Sequence, residues 1–372
     1  MRSHPSGSER RLDVLVLAPY PPDTAPNQRF RFEQYIGRLE HDDIHLEVSS
    51  YLDAGMVPVV HQRGRYAQKA AAAVHGIGRR LRDLAVARAY DLVLISRESA
   101  PLGPPLIERL LGALEVPYAF DFDDAIYLPN SSPANRAMAP FKFAAKASMT
   151  ARHASLVIAG NEQLASWARQ HTEQVVVIPS TIDTAYHLPR PVRRDPGRPV
   201  CVGWTGSVTT LPYLEALAPV LRDLQRDHGV RLRVIGDEHY RIEGAVVEAL
   251  PWRRETEIAD LQELDIGLMP LPDDEWARGK CGLKALQYMA IGIPAVMSPV
   301  GVNPSIAEGG VGRLASTPAQ WRGVLEELIG DPGLRAELGA RGRDRVQRHY
   351  SVDAVAASWA QALRSAAARS AL

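Results

Sequence analysis

Two lysines, a glutamine and two glycines lie close together in GKCGLKALQYMA, residues 279–290. Lys280, Lys284 and Gln287 recur at i, i+4 and i+7, the spacing of one helix face. The lysines stand at the start of that helix, where the dipole favours anions over cations. Free backbone N–H groups, the dipole and two ammonium groups together suit a bound phosphate. Gly279 and Gly282 flank the first lysine and let a ligand approach the backbone closely. The plainer reading is a solvated helix face that happens to carry two lysines. Cys281, in the same loop, reads as a small packed residue and not as a nucleophile.

A second group carries acids. Asp121, Asp123 and Asp124 follow a strand end in FDFDDAIYLP. Three acids there could hold a divalent metal through oxygen or orient hydroxyl groups, and one of them could cap the next helix. Clustered carboxylates repel one another, so three together imply a use. Arg97 and Glu98 sit just past another strand, at 91–96. Arg29 and Arg31 open the helix after the first strand, again a place that welcomes an anion. The alternative is that one of them pairs with a nearby carboxylate. Gly206 and Ser207 in TGSVTT could offer N–H groups and a hydroxyl to a phosphate, or make only a turn. Asp237 follows the strand VRLRVIG. Trp252 could stack on a nucleobase or pack into a core. Gly301, Val302 and Asn303 precede a helix at 305–308 whose first amides could meet the same anion.

Chemistry of this kind needs strand ends to hold it. Apolar runs predict strands at 12–18, 44–50, 91–96, 117–121, 155–160 and 174–178. The rhythm restarts with 200–204, 230–236, 246–250, 265–271 and 293–297. Helical patterns fill the intervals: near 27, over 63–90, 142–153, 257–263 and 280–290, then 320–329, 334–350 and 352–368. Strand and helix alternating in this way predict α/β units with parallel sheets, ligands binding beyond the strands' carboxyl ends. The Ala-rich stretch 63–90 carries Arg79, Arg80, Arg82 and Arg88, and reads as a surface helix before it reads as a membrane-surface one. Lys142, Lys146 and Arg152 are expected to be exposed. Residues 186–199 hold four prolines and four arginines without apolar period, the signature of a linker.

The totals agree with two domains. The chain has 372 residues, with 43 Lys plus Arg against 43 Asp plus Glu, so no bulk charge draws it to nucleic acid. Cys201 and Cys281 are the two cysteines, which excludes a disulfide framework. No apolar run approaches the roughly 18 residues that a membrane span needs. Residues 1–11 are polar and read as a loose tail without the apolar core of a signal peptide. A soluble, cytoplasmic enzyme is the expectation.

The stretch 265–303 resembles the donor-binding segment of GT-B glycosyltransferases of the family 4 type, the group 1 glycosyl transferases. That family carries two glutamates separated by seven residues and ends the segment in a sequence like LLEAMACGLPVV. Here ALQYMAIGIPAV stands in its place, with Gln287 where the second glutamate would be and Gly279 where the first would be. The chain is similar to a subgroup with GKCG-x-K-x-x-QYMA followed by SPVGVN, and PSTID at 179–183 resembles the family's PNGVD. The resemblance implies a GT-B fold: two Rossmann-like α/β domains with parallel sheets facing an interdomain cleft. It divides the chain into an acceptor domain at 12–185, the linker, a nucleotide-sugar domain at 200–350, and a terminal helix, 351–372, packed back on the first domain.

The activity implied is transfer of a sugar from a nucleoside-diphosphate sugar to an acceptor hydroxyl, with retention, without metal and with no cofactor besides the co-substrate. The family's glutamates are associated with ribose and sugar hydroxyls; Gln287 can hydrogen-bond a ribose but brings no negative charge. The family's diphosphate-gripping Arg and Lys are also missing near 204–210, where Trp204 stands instead, so Lys280 and Lys284 would take over that grip. Asp123 or Asp124, or the leaving phosphate, would accept the acceptor's proton. Arg29, Arg31, Arg97, Glu98 and Asp121 would face the acceptor; Gly206, Ser207, Asp237, Trp252, Gly282, Gln287 and Gly301 to Asn303 would face the donor. The acceptor is a small metabolite, a lipid carrier or a glycan, and the chain is a monomer or homodimer. A sugar-nucleotide 2-epimerase and a catalytically silent GT-B binding subunit are the alternatives.

Overall fold

The computed structural model describes residues 10–62, 64–101, 103–128, 143, 145–189 and 197–369. Most of the expected tail, Lys142, and the middle of the expected linker lie outside them. The chain divides into two compact units, Met1–Pro179 with Val355–Leu372, and Ser180–Ala354.

The first unit is built on strands β1 (Leu12–Ala18), β2 (Ile44–Ser50), β3 (Leu92–Ser96), β4 (Tyr118–Phe122), β5 (Leu156–Ala159) and β6 (Val175–Val177). All pairings are parallel, in the order β2-β1-β3-β4-β5-β6. Central strands β3, β4 and β5 are buried at every position, which is why their sequences are largely apolar, with Asp121 in β4 the charged exception. The second unit repeats the plan with β7 (Cys201–Thr205), β8 (Arg231–Ile235), β9 (Val247–Leu250), β10 (Ile266–Met269), β11 (Ala295–Met297) and β12 (Arg313–Leu314). Its order is β12-β11-β10-β7-β8-β9, again all parallel. Among the described residues the protein is thus an α/β protein with two six-stranded parallel sheets.

In both sheets the strand order reverses once, between β1 and β3 and between β7 and β10. Connections on the two sides of such a point leave in opposite directions and open a crevice at the carboxyl ends of the strands. The loops after β1 and β3 bear Arg29, Arg97 and Glu98; those after β7 and β10 bear Gly206 and Lys280.

The helix Val352–Ala368 carries Trp359, which is buried in the first unit. Its ring lies 5.7 Å from that of Tyr35 and 5.4 Å from the Arg31 guanidinium. The helix expected after residue 27 is broken into Pro26–Arg29, a 3₁₀ turn Glu33–Tyr35, and Ile36–Glu40. Phe30, Phe32 and Tyr35 are all buried, and no single helix face accommodates that set.

Candidate functional site

In the second unit, the helix expected from Lys280 begins at Leu283. Gly282 precedes it with φ +73°, and a Cβ there would collide with the Ile306 side chain. Lys280 therefore sits in the turn before the helix, not on the face shared by Lys284 and Gln287. Its ammonium lies 5.6 Å from the Trp276 ring centroid. Lys284 is half-buried, its ammonium 5.4 Å from the ring centroid of the fully buried Trp204. Lys284 also crosses Gly206: a Cβ on that glycine would stand 2.7 Å from Lys284 Cε and would strike the Trp204 ring. Gly236, with φ +137°, backs the same spot, since its own Cβ would collide with Gly206 O. Three small-residue constraints thus bring β7's end, β8's end and the start of the Leu283–Ala290 helix together. The N-terminus of that helix, the positive end of its dipole, lies at this point.

Tyr288 fixes the arrangement from beneath. Its buried hydroxyl accepts from Thr205 N–H at 3.0 Å and donates to Leu268 O at 3.2 Å, tying β7 to β10. Gly267 makes room for its ring. Gln287 is buried and donates through Nε2 to Glu257 Oε1 at 3.0 Å; Trp252 Nε1 donates to the same oxygen at 3.3 Å. Glu257 thus returns a carboxylate to the neighbourhood in which Gln287 replaces one. Nothing local in the sequence marks Glu257, which lies thirty residues upstream.

Other second-unit candidates are engaged within the fold. Asn303 is fully buried and donates through Nδ2 to Ser298 O at 2.9 Å, bracing the 298–302 turn, while its Oδ1 is buried without a hydrogen-bond partner among the described residues. Gly301 adopts φ +58°, and a Cβ would sit 2.8 Å from Arg278 O; half-buried Val302 caps the short Asn303–Ile306 helix that begins two residues before the expected one. Asp237 accepts from His239 N–H at 2.9 Å and closes a turn. Ser207 Oγ meets Thr209 Oγ1 at 2.8 Å on the surface.

In the first unit the three acids are shared between two arginines. Asp121 is fully buried and paired with Arg31, Nη2 to Oδ1 at 2.5 Å, with Arg31 Nη1 donating to Ile178 O at 2.6 Å. Arg31 and Asp121 are therefore an internal ion pair, corrected from acceptor-facing residues, because neither reaches solvent. Arg29 is also buried, its guanidinium 4.4 Å from the Phe30 ring centroid. Arg97 donates to Asp124 Oδ2 at 2.8 Å and Asp123 Oδ1 at 3.3 Å. Its backbone is left-handed, φ 62°, held by its N–H donating to Asp121 O at 2.7 Å. Strain of this kind at a non-glycine residue gathers at functional positions. Burial, with Asp124 adding repulsion, pushes the Asp123 carboxyl up to about 6 against the pull of Arg97. Glu98 and Arg97 both act electrostatically on Tyr20, whose hydroxyl burial raises first. Gln28, buried and missed from sequence, holds the 20–24 loop by exchanging hydrogen bonds with Tyr20's backbone at 2.8 and 2.9 Å and by donating to Glu33 at 3.0 Å. Burial pushes Glu33 up to about 7.

Two basic residues expected at the surface are inside. Lys146 is buried and donates to Ala100 O. Arg80 is fully buried, donating to Ala18 O, Ser49 O and Ser99 O and to Asp83.

Residues 201–331 match the family described as "Glycosyl transferases group 1". No curated protein matches the chain. Solved structures resemble it over nearly its whole length. Sucrose-phosphate synthase from Thermosynechococcus elongatus aligns with TM-score 0.68 and 15% identity, covering 95% of this chain and 98% of the other. Anabaena Alr3699/HepE, in complex with UDP and glucose, aligns with TM-score 0.64 and 16% identity, covering 95% and 100%. The α,α-trehalose 6-phosphate synthase from Burkholderia multivorans aligns with TM-score 0.62 and 13% identity, covering 97% and 98%. At these identities the likenesses establish the fold, GT-B with two Rossmann-like domains.

Proposed function

Because the chain is a GT-B glycosyltransferase whose residues 201–331 are of the group 1 family, we propose that its second unit grips the diphosphate of a nucleotide sugar where β7 and β10 end. The first unit takes the acceptor hydroxyl beside Arg97, Asp123 and Asp124. The observation that carries this reading is the convergence of Lys284, Gly206 and a helix start at the switch point of the second sheet.

The reaction breaks the bond between the anomeric carbon and the diphosphate oxygen, and negative charge grows on that oxygen. Lys284 and Lys280 neutralise it. Positive charge already in position stabilises the transition state most, since no reorganisation is required as the bond breaks. Trp204 limits where the Lys284 ammonium can go, and Tyr288 holds the Thr205 backbone beneath it. Gln287 with Glu257 recognises the ribose, and Trp252 lies beside that pair. The acceptor proton passes to Asp123 or Asp124, or to the departing phosphate. The sugar keeps its anomeric configuration, and neither step calls on a metal.

A thermal-shift panel of nucleoside diphosphates identifies the base, because a ligand that binds the folded state raises its melting temperature by mass action. UDP comes first in the panel, since a similar structure is described as holding UDP-glucose. Lys284→Ala is expected to lose most turnover, about 100-fold or more, with unchanged circular dichroism. Activity within about threefold of the wild type overturns the charge-stabilising role. Incubating the donor without acceptor separates transfer from epimerisation, which proceeds alone.

A further inference from the structure

The helix Tyr66–Val86 carries apolar residues on two faces. Its inner face buries Ala72, Gly76 and Leu84, with Gly76 tight against the Tyr51 ring. Its outer face repeats Tyr66, Val74, Ile77 and Leu81 at helical spacing, and these are 59, 71, 49 and 55% exposed. Single exposed apolar side chains are ordinary; a stripe along about four turns is an interaction surface. The neighbouring helix Leu106–Ala113 packs beside it and adds exposed Leu106 and Leu110.

The charge around the stripe is mostly positive, with Asp53 pairing Arg79 at 2.5 Å and standing 3.5 Å from His75. Residues 64–90 hold six Lys and Arg and one acid, Asp83, in a chain whose totals balance at 43 and 43. Asp83 is buried and paired with Arg80 at 2.8 Å, so it offers nothing outward. Arg65, Arg82 and Arg88 are exposed along the rim. Apolar side chains edged by cations fit a layer that is apolar inside and anionic at its surface. Among the described residues no helix is long and apolar enough to cross a membrane, so the contact is with a surface.

Position adds to the argument. Gly76 sits level with Tyr51, the first residue past β2. The helix runs back toward the start of β3, so its ten preceding residues carry Tyr66 about 15 Å beyond the strands' carboxyl ends. That is the end of this unit on which Arg97, Asp123 and Asp124 lie.

We propose that the outer face of Tyr66–Val86, with Leu106 and Leu110, docks on an anionic lipid bilayer. The inference goes beyond the transfer reaction and its test needs no turnover. The full chain is floated with vesicles of phosphatidylglycerol mixed with phosphatidylcholine, and with phosphatidylcholine alone. Expected is binding to the first, at least about tenfold weaker binding to the second, and release at high salt. The double variant Ile77→Gln, Leu81→Gln is expected to bind about tenfold or more weakly with an unchanged melting temperature. Arg65→Gln with Arg82→Gln, which leaves the apolar stripe intact, is expected to weaken binding about tenfold or more to the anionic vesicles only. The proposal is overturned if the wild type stays with neither vesicle, or if both variants bind as it does. It is equally overturned if the wild type sediments as a dimer that Ile77→Gln, Leu81→Gln converts to monomer, which would assign the face to a second copy.

Discussion

Replacing Asp123 with Asn separates the stability of the first unit from its chemistry. The Asp123 carboxyl is pushed from 3.8 to about 6 by burial and by Asp124. The folded state therefore holds the proton more tightly than the unfolded chain does. The sign follows: stability is full below about 4 and is lost as pH rises through about 6. Linkage over a shift of that size gives a loss on the order of 3 kcal/mol in all, of which on the order of 1 kcal/mol falls between pH 5 and pH 8. Asn cannot ionise and escapes that loss, while its amide still offers an oxygen to Arg97. Urea unfolding of wild type and Asp123→Asn at pH 5 and pH 8 gives four values, and their double difference cancels the groups that titrate independently of Asp123, leaving Asp123 together with its neighbour Asp124. The expected result is a variant that gains on the order of 1 kcal/mol on the wild type from pH 5 to pH 8 and loses acceptor turnover. A double difference near zero would refute the burial argument. A gain in stability with turnover intact would leave the ionisation correct and remove Asp123 from the site.

Arg31→Met leaves Asp121 buried without its cation and should destabilise the protein by about 3–5 kcal/mol, read as a fall in melting temperature that Arg31→Met with Asp121→Leu largely restores. Gly236→Ala forces a Cβ into Gly206 O, and should weaken nucleoside diphosphate binding in a thermal-shift titration; an unchanged response would mean that β7's end is not at the site. Glu257→Ala removes the acceptor shared by Gln287 and Trp252, and should lower nucleoside diphosphate affinity about tenfold while inorganic diphosphate binding holds, the opposite pattern to Lys284→Ala.

Much of the sheet architecture was legible because buried parallel strands leave unbroken apolar runs, as LVLI and LVIA do. Helix starts were less so. Lys280 has the spacing to extend the Leu283–Ala290 helix, but Gly282 stops it, and the reason is a long-range one: Ile306 fills the space a Cβ would need. Arg31 was legible as a residue that either faces an anion or pairs with a carboxylate; which carboxylate was not, because Asp121 lies ninety residues away and leaves no local trace. Gln287 was visible as a substitution in a familiar segment. The carboxylate beside it was not, because Glu257 reaches Gln287 only once a separate helix is packed against it. Lys146 and Arg80 show the same limit from the other side: Arg80 shares a helix face with Ala72, Gly76 and Leu84, and nothing near either residue hints that backbone carbonyls wait for it inside.

Trp359 belongs to the unit whose sheet is synthesised first, yet it is made only after the whole of the second sheet. While the ribosome is still translating the second sheet, Tyr35 and Arg31 have no indole to close over them. The leading unit must therefore wait, partly open, for the trailing one to be finished. A chain cut short before residue 355 would leave its later-made sheet whole and its earlier-made core unsealed, so damage at one terminus would surface as misfolding at the other.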